Sequence, residues 1–157
     1  NVSNYEAEEF LNSYFGKFPE IKVYMENTIK FCRKSGYVNN IFGRRSHFTG
    51  INDKNFNVRN FQERAAINAP IQGSASEIMR LAMIRLNKKM SDDQITKPKM
   101  LLQIHDELIF EVPKKDEKLM TKIIKNEMTS VAQSDFHSFS TPLTVDVNVG
   151  DNWGMLH

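Results

Sequence analysis

The fold turns on Met100-Leu101-Leu102-Gln103-Ile104-His105-Asp106-Glu107-Leu108-Ile109-Phe110-Glu111-Val112. Two short apolar runs, Leu101–Ile104 and Leu108–Val112, face each other across three polar residues. Runs of this length around a polar tip predict a β-hairpin, with His105, Asp106 and Glu107 at the turn and the flanking strands buried. Downstream, the spacing predicts a helix over 115–134. Leu143, Val145, Val147 and Val149 then alternate with Thr144, Asp146 and Asn148, the period of a half-buried strand. Trp153, in Gly150-Asp151-Asn152-Trp153, is expected to plug the edge of the core.

Upstream, 91–98 reads as a linker with Ser91, Asp92, Asp93 and Pro98. Before it a long helix is expected from Asn60 to Met90. Its apolar stripe is Ala75, Ile78, Met79, Ala82 and Leu86, and Pro70 lies inside it as a source of a bend. Residues 46–60 are polar and read as a loop. Tyr37–Arg45 reads as a short strand or hairpin, turning at Asn39-Asn40 or Phe42-Gly43. Residues 3–34 read as two helices, capped by Ser3 or Asn4 and broken near Gly16–Pro19. Phe10, Tyr14 and Phe18 share a face of the first helix, widened by Leu11 and Phe15, and are expected to pack in the core. Helices followed by strand, strand, helix and strand argue for an α+β fold, with helices packed on a small, mainly antiparallel sheet.

Composition agrees. The chain has 157 residues, 40% hydrophobic and 25% charged. That suits one soluble domain and excludes wholesale disorder, collagen-like repeats and a disulfide scaffold. The single cysteine, Cys32, excludes an internal disulfide and fits a reducing compartment. No apolar run reaches the ~18 residues of a membrane span, and no signal peptide opens the chain. The first residue is Asn1, so a segment cut from a larger protein is expected. Net charge is +2, but the window Lys30–Arg64 holds eight Lys/Arg against Asp53 and Glu63. A basic concentration of this kind is either a phosphate-binding surface or a solvated face.

Two constellations could carry chemistry. Asp106 and Glu107 are hard oxygen donors suited to Mg²⁺, which takes a few carboxylates, waters and substrate phosphates. An acidic turn without a ligand is the alternative, because two carboxylates do not complete a metal site. Arg64, Asn68, Gln72, Ser76 and Arg80 recur every four residues and form a polar stripe on one face of the long helix. Arginine and amide donors can reach minor-groove acceptors, which every base pair presents in similar positions. The alternative is a solvent-facing helix side. His47, His137 and His157 have no metal-ligand spacing. No histidine pairs with a serine or cysteine as in nucleophilic catalysis, and no phosphate-loop signature occurs.

Glu63-Arg64-Ala65-Ala66-Ile67-Asn68-Ala69-Pro70-Ile71-Gln72-Gly73 strongly resembles the family A DNA polymerases. Gln103-Ile104-His105-Asp106-Glu107 resembles that family's third polymerase motif. Gly43-Arg44-Arg45, the run from Tyr14-Phe15 to Tyr24-Met25-Glu26, and Gly150-Asp151-Asn152-Trp153 with His157 fit as well, so the resemblance covers essentially the whole chain in order. It implies a C-terminal piece of the polymerase right hand, with fingers-type helices over 1–34 and a palm-type segment over 35–157. Asp106 would be one of two aspartates holding two catalytic Mg²⁺ ions, with Glu107 an accessory carboxylate and His105 near the primer end. Arg64, Asn68 and Gln72 would line the primer–template minor groove, with Arg44, Arg45 and Arg59 as further DNA contacts. The implied reaction is two-metal nucleotidyl transfer from a deoxynucleoside triphosphate to a primer 3′-hydroxyl, in replication or repair. Partners would be primer–template DNA and the remainder of the polymerase chain. The compartment would be the cytoplasm, or an organelle matrix.

The first polymerase motif, with the other catalytic aspartate, is absent, as are the nucleotide-binding fingers helix and any thumb or exonuclease sequence. The segment is therefore expected to be inactive by itself. A non-catalytic nucleic-acid-binding or scaffold module derived from the same fold is the second reading.

Overall fold

The computed structural model describes residues 3–91, 98–134 and 137–156. The chain divides into two compact units, Asn1–Gly73 and Ser74–His157.

In the first unit, α1 (Asn4–Lys17) is opened by a capping box. The Ser3 hydroxyl accepts from the Glu6 N–H, and the Glu6 carboxylate accepts from the Ser3 N–H at 2.8 Å. The helix stops at Phe18, and Pro19 starts α2 (Pro19–Ser35) at the position where a missing N–H costs least. Gly36 ends α2 with φ +77°, and its N–H returns to the Cys32 carbonyl at 2.8 Å. β1 (Tyr37–Asn39) and β2 (Arg45–His47) pair antiparallel, Val38 opposite Ser46. Then α3 (Phe56–Met90) begins, four residues earlier than the sequence pattern suggests. Asn55 is the reason: its side chain accepts from the Asn57 N–H at 2.9 Å and caps the first turn. The core of this unit is Cys32, Val38, Ile51 and Ala66, with Phe48 and Ala69 against it.

The aromatic stripe of α1 is not in that core. Phe10 is 70% exposed and Phe18 49%. Tyr14 packs on the rings of Phe15 and Phe18, at 5.6 and 5.3 Å. The principal neighbour of α1 is α2. Helical periodicity identifies the adhesive side of a helix, and here the described residues do not cover that side.

In the second unit, the later part of α3 buries Met79, Ala82 and Leu86, whereas Ala75, assigned to the same stripe, is exposed. β3 (Lys99–Ile104) and β4 (Glu107–Glu111) form the expected hairpin, and α4 (Glu117–Thr129) follows a short 3₁₀ turn. Leu86, Met120 and Ile124 make the centre of this core, and Met100, Leu108 and Phe110 pack on it from one face of the hairpin. The strands are half-buried, not enclosed: Leu101 and Leu102 on β3 are about half exposed. Two further short strands, β5 (Gln133–Ser134) and β6 (His137–Ser138), pair antiparallel. The described residues thus carry three two-stranded antiparallel ladders and no larger sheet, within an α+β class.

Residues 143–149 are not a strand in this structure, which corrects the sequence reading. Leu143, Val145 and Val147 are still partly buried, and Thr144, Asp146 and Asn148 are exposed. The period of two is realised in burial without a ladder, because a strand needs a partner's backbone as well as an alternating face. Trp153 is also corrected. It is half exposed on a terminal 3₁₀ turn, Trp153–Met155, and plugs no core. The expected linker residues Asp92 and Asp93, and His157, lie outside the described residues. Among the described residues, no helix is long and apolar enough to cross a membrane.

Candidate functional site

The carboxylate turn is built by the register of its two strands. Ile104 pairs with Glu107, so only His105 and Asp106 form the loop and Glu107 is the first residue of β4. A two-residue hairpin loop calls for positive φ at its start. His105 supplies it with φ +51°, a conformation uncommon for a residue with a side chain, though histidine is among those enriched there. Its carbonyl accepts from the Gln103 amide at 3.3 Å. Leu108 and Phe110 lie against the core, so Glu107, Ile109 and Glu111 point from the opposite face. His105, Asp106 and Glu107 are all exposed. Farther down the ladder, Lys99 bonds Glu111 at 2.9 Å. That hydrogen bond, and then the carboxylate's charge, raise the lysine pKa above its ordinary value.

Asp106 and Glu107 offer the hard oxygens that Mg²⁺ prefers, on adjacent residues of a two-residue turn and the strand it opens. Among the described residues, no three His, Cys, Asp or Glu side chains gather at one point. The turn offers two carboxylates, and a divalent ion held there would take its remaining ligands from water, substrate phosphates or other protein segments.

The polar stripe is on α3. Arg64, Asn68 and Gln72 are all exposed, while Ala66 on the inward side is fully buried. The outward direction is maintained at Ser76 and Arg80. Arg80 donates through Nε to Glu77 at 3.0 Å, with a second, closer contact through Nη2, and this hydrogen bonding raises its pKa further. Two side chains reach the backbone of α3 beside the stripe. Tyr24 donates to the Ile67 carbonyl at 3.0 Å, and Asn40 to the Gly73 carbonyl at 3.1 Å. The sequence reading gave neither residue a functional role. Asn40 read only as part of a turn, and the fact that its side chain crosses to a helix has no local signal.

The basic window of the first unit is partly spent internally. Arg33 is paired with Glu63. Arg59, one of the expected DNA contacts, donates to the Asp53 carbonyl at 3.0 Å and lies 4.0 Å from Glu63 and 5.6 Å from the centre of the Phe56 ring. Arg44 and Arg45 are exposed at the start of β2, with the Arg45 guanidinium 4.5 Å over the Tyr37 ring. The structure thus groups Arg44, Arg45, Arg59, Arg64, Asn68 and Gln72 in one unit, and His105, Asp106 and Glu107 in the other.

The chain thus exposes a stripe of arginine and amide side chains on α3 and an acidic hairpin turn, and comparison with known proteins supplies the family. Residues 1–155 match the model of DNA polymerase family A, and the chain belongs to that family. DNA polymerase I of Caldicellulosiruptor bescii is 41% identical over 152 residues, and that of Streptococcus pneumoniae serotype 4 is 43% identical over the same length. Each match takes in 97% of this chain and 17% of the relative, so the chain spans about a sixth of the length of these curated relatives. The fold superposes with a TM-score of 0.90 on the POL domain of Pol1 from M. smegmatis, solved in complex with DNA primer–template and dNTP. There identity is 33%, and the match covers 99% of this chain and 26% of that one.

Proposed function

We propose that this chain acts as part of a DNA-directed DNA polymerase, which adds deoxynucleotides to a primer 3′-hydroxyl on a template. The observation that carries this reading is that a chain matching the family over nearly its whole length exposes both the Arg64-Asn68-Gln72 stripe and the His105-Asp106-Glu107 turn. Residues 1–34 would serve as fingers-type helices and 35–157 as the palm-type segment. The two compact units divide elsewhere, inside α3, so this division concerns role and not compactness.

Arg64, Asn68 and Gln72 donate to minor-groove acceptors of the primer–template duplex near its growing end. Those acceptors nearly superimpose in all correct pairs, so the contacts test the shape of the pair without reading its identity. Arg44 and Arg45 contact the DNA backbone, and Arg59 supports them from a more enclosed position. His105 stands beside the primer terminus. Asp106 and Glu107 hold Mg²⁺, with Asp106 as the principal ligand and Glu107 in support. When bound, Mg²⁺ supplies charge stabilisation at the oxygens that attack and leave during phosphoryl transfer. Two carboxylates complete no such site, so residues 1–157 by themselves are inactive in nucleotide incorporation. The protein works in the cytoplasm, alongside the DNA it copies.

The test is single-turnover primer extension by the complete polymerase with Asp106→Asn and Glu107→Gln. Asp106→Asn should abolish most of the chemistry and leave primer–template binding intact, with Glu107→Gln much milder. The opposite ranking would sink the assignment. Wild-type rates for both would favour the second reading, a non-catalytic nucleic-acid module on a polymerase fold.

A further inference from the structure

The turn of α3 that carries Asn68 and Gln72 is held from outside the helix. Pro70 sits between the two amides and has no N–H, so the helical ladder is one rung short there. A helix weakened in this way can bend, and a bend would move Gln72 relative to Asn68 and Arg64. Tyr24, from α2, donates its hydroxyl to the Ile67 carbonyl, one residue before Asn68. Asn40, between β1 and β2, donates its amide to the Gly73 carbonyl, one residue after Gln72. The two anchors bracket the Pro70 segment.

Asn40 is more than a helix clip. It is only 8% exposed, and a buried amide is costly unless its hydrogen bonds are made. Its Oδ1 accepts from the Phe42 N–H at 3.0 Å and from the Arg44 N–H at 2.9 Å. Its own N–H donates to the Arg44 carbonyl, and its carbonyl accepts from the Gly43 N–H, both at 3.0 Å. One side chain therefore shapes the loop that leads into Arg44 and Arg45 and grips the helix turn that presents Gln72.

We infer that Asn40, with Tyr24 as a second anchor, is a positioning residue of the duplex-binding face: it keeps the Gln72 amide and the Arg44–Arg45 arm in one register against primer–template DNA. The inference rests on the proposed groove role of Arg64, Asn68 and Gln72. Asn40 is buried and Tyr24 half-buried, so both act from behind the exposed face. The bonds to Gly73 and Ile67 act through Gln72, whose hydrogen bond to a fixed acceptor weakens steeply with small displacements, while Asn40 Oδ1 separately holds the Arg44–Arg45 arm.

The experiment is a set of double-mutant cycles in the complete polymerase, read as single-turnover extension of matched and mismatched primer ends. Asn40→Asp keeps the acceptor for the Phe42 and Arg44 N–H groups but turns an oxygen toward the Gly73 carbonyl. Tyr24→Phe removes one oxygen and leaves the ring, so it decides the matter if Asn40→Asp destabilises the fold. Each single variant should slow matched extension by about 2–12-fold, the range expected for one neutral hydrogen bond, and should shrink discrimination against a mismatched end. In a Gln72→Ala background either change should cost less than about 2-fold, because the contact it positions is already gone. Two results overturn the inference: wild-type rates for both anchors when Gln72→Ala is slow, or anchor effects that multiply in full with Gln72→Ala. Wild-type rates for Gln72→Ala and Arg64→Ala together overturn the groove reading itself, and the inference with it.

Discussion

The donor stripe on α3 and the carboxylate turn between β3 and β4 are held in place by different means. The turn is local. Ten residues of two paired strands and a two-residue loop fix Asp106 and Glu107, and every hydrogen bond named for it joins residues of Lys99–Glu111. The stripe is not local. Its residues lie on one helix, but the turn around Pro70 is anchored by Tyr24 and Asn40, from 43 and 33 residues away in sequence. A local device tolerates changes elsewhere in the chain and fails abruptly when its own residues change. A device held by distant anchors can be weakened by degrees, from positions that never meet the ligand.

The largest effect should come from the turn. Asp106→Asn should reduce single-turnover incorporation by at least about 10²–10³-fold, the loss typical of one preorganised electrostatic contact. Primer–template affinity should hold. A loss shared equally between rate and affinity would make the turn a binding element like the stripe and erase the contrast.

On the stripe, Arg64→Ala should cost about 1.5–3 kcal/mol in matched extension and Gln72→Ala about 0.5–1.5 kcal/mol, as suits charged and neutral hydrogen bonds. The salt dependence of DNA binding sharpens this assignment. It should weaken in Arg64→Ala if the guanidinium meets a phosphate, and hold if it meets base edges. Changes within about ±0.5 kcal/mol for both variants would make the stripe an ordinary solvated face.

His105→Gly separates the geometry of the turn from its chemistry. Glycine adopts positive φ without strain, so thermal unfolding should show unchanged stability or a gain of up to about 1 kcal/mol. Extension should slow if, as proposed, the imidazole stands at the primer end. A variant equally stable and equally fast would reduce His105 to a turn residue.

The smallest effect is at the far end of the first unit. Hydrogen bonds from the Ser3 N–H and then the Ser3 hydroxyl hold the Glu6 carboxyl below its ordinary value of 4.5. A carboxyl with a lowered folded value stabilises the cap above the unfolded value, and that contribution is lost as pH falls through the folded one. Circular dichroism should therefore show α1 fraying in acid in the wild type, with the corresponding step missing in Glu6→Gln. Identical acid profiles would remove the capping box from the account.

The same contrast explains what could be read in advance. The hairpin, the capped start of α1, the break at Phe18 and the outward stripe on α3 are all written in neighbouring residues, as turn formers, caps and periodic spacing. The exposed face of α1 was not legible, because Phe10, Tyr14 and Phe18 announce an apolar side without saying what covers it. Val145 and Val147 alternate correctly, yet no ladder forms, since pairing depends on backbone elsewhere. Trp153 is large and apolar, and neither property says which surface will cover it. Asn40 lies deepest beyond local reading: its hydrogen bond to Gly73 crosses 33 residues, and no local pattern encodes it.

One irregularity in β3 bears on how this segment can change over time. Met100 pairs with Phe110 and Leu102 with Ile109, which leaves Leu101 as an extra residue without an opposite number. Losing Gln103 or Ile104 would turn the side chains between the loss and the bulge to the other face of the hairpin. Losing Leu101 would not, since the pairs on either side would simply become consecutive. Leu101 is therefore the natural splice point of the hairpin, the place where a lineage could shorten the strand by one codon and keep Asp106 and Glu107 aimed as they are.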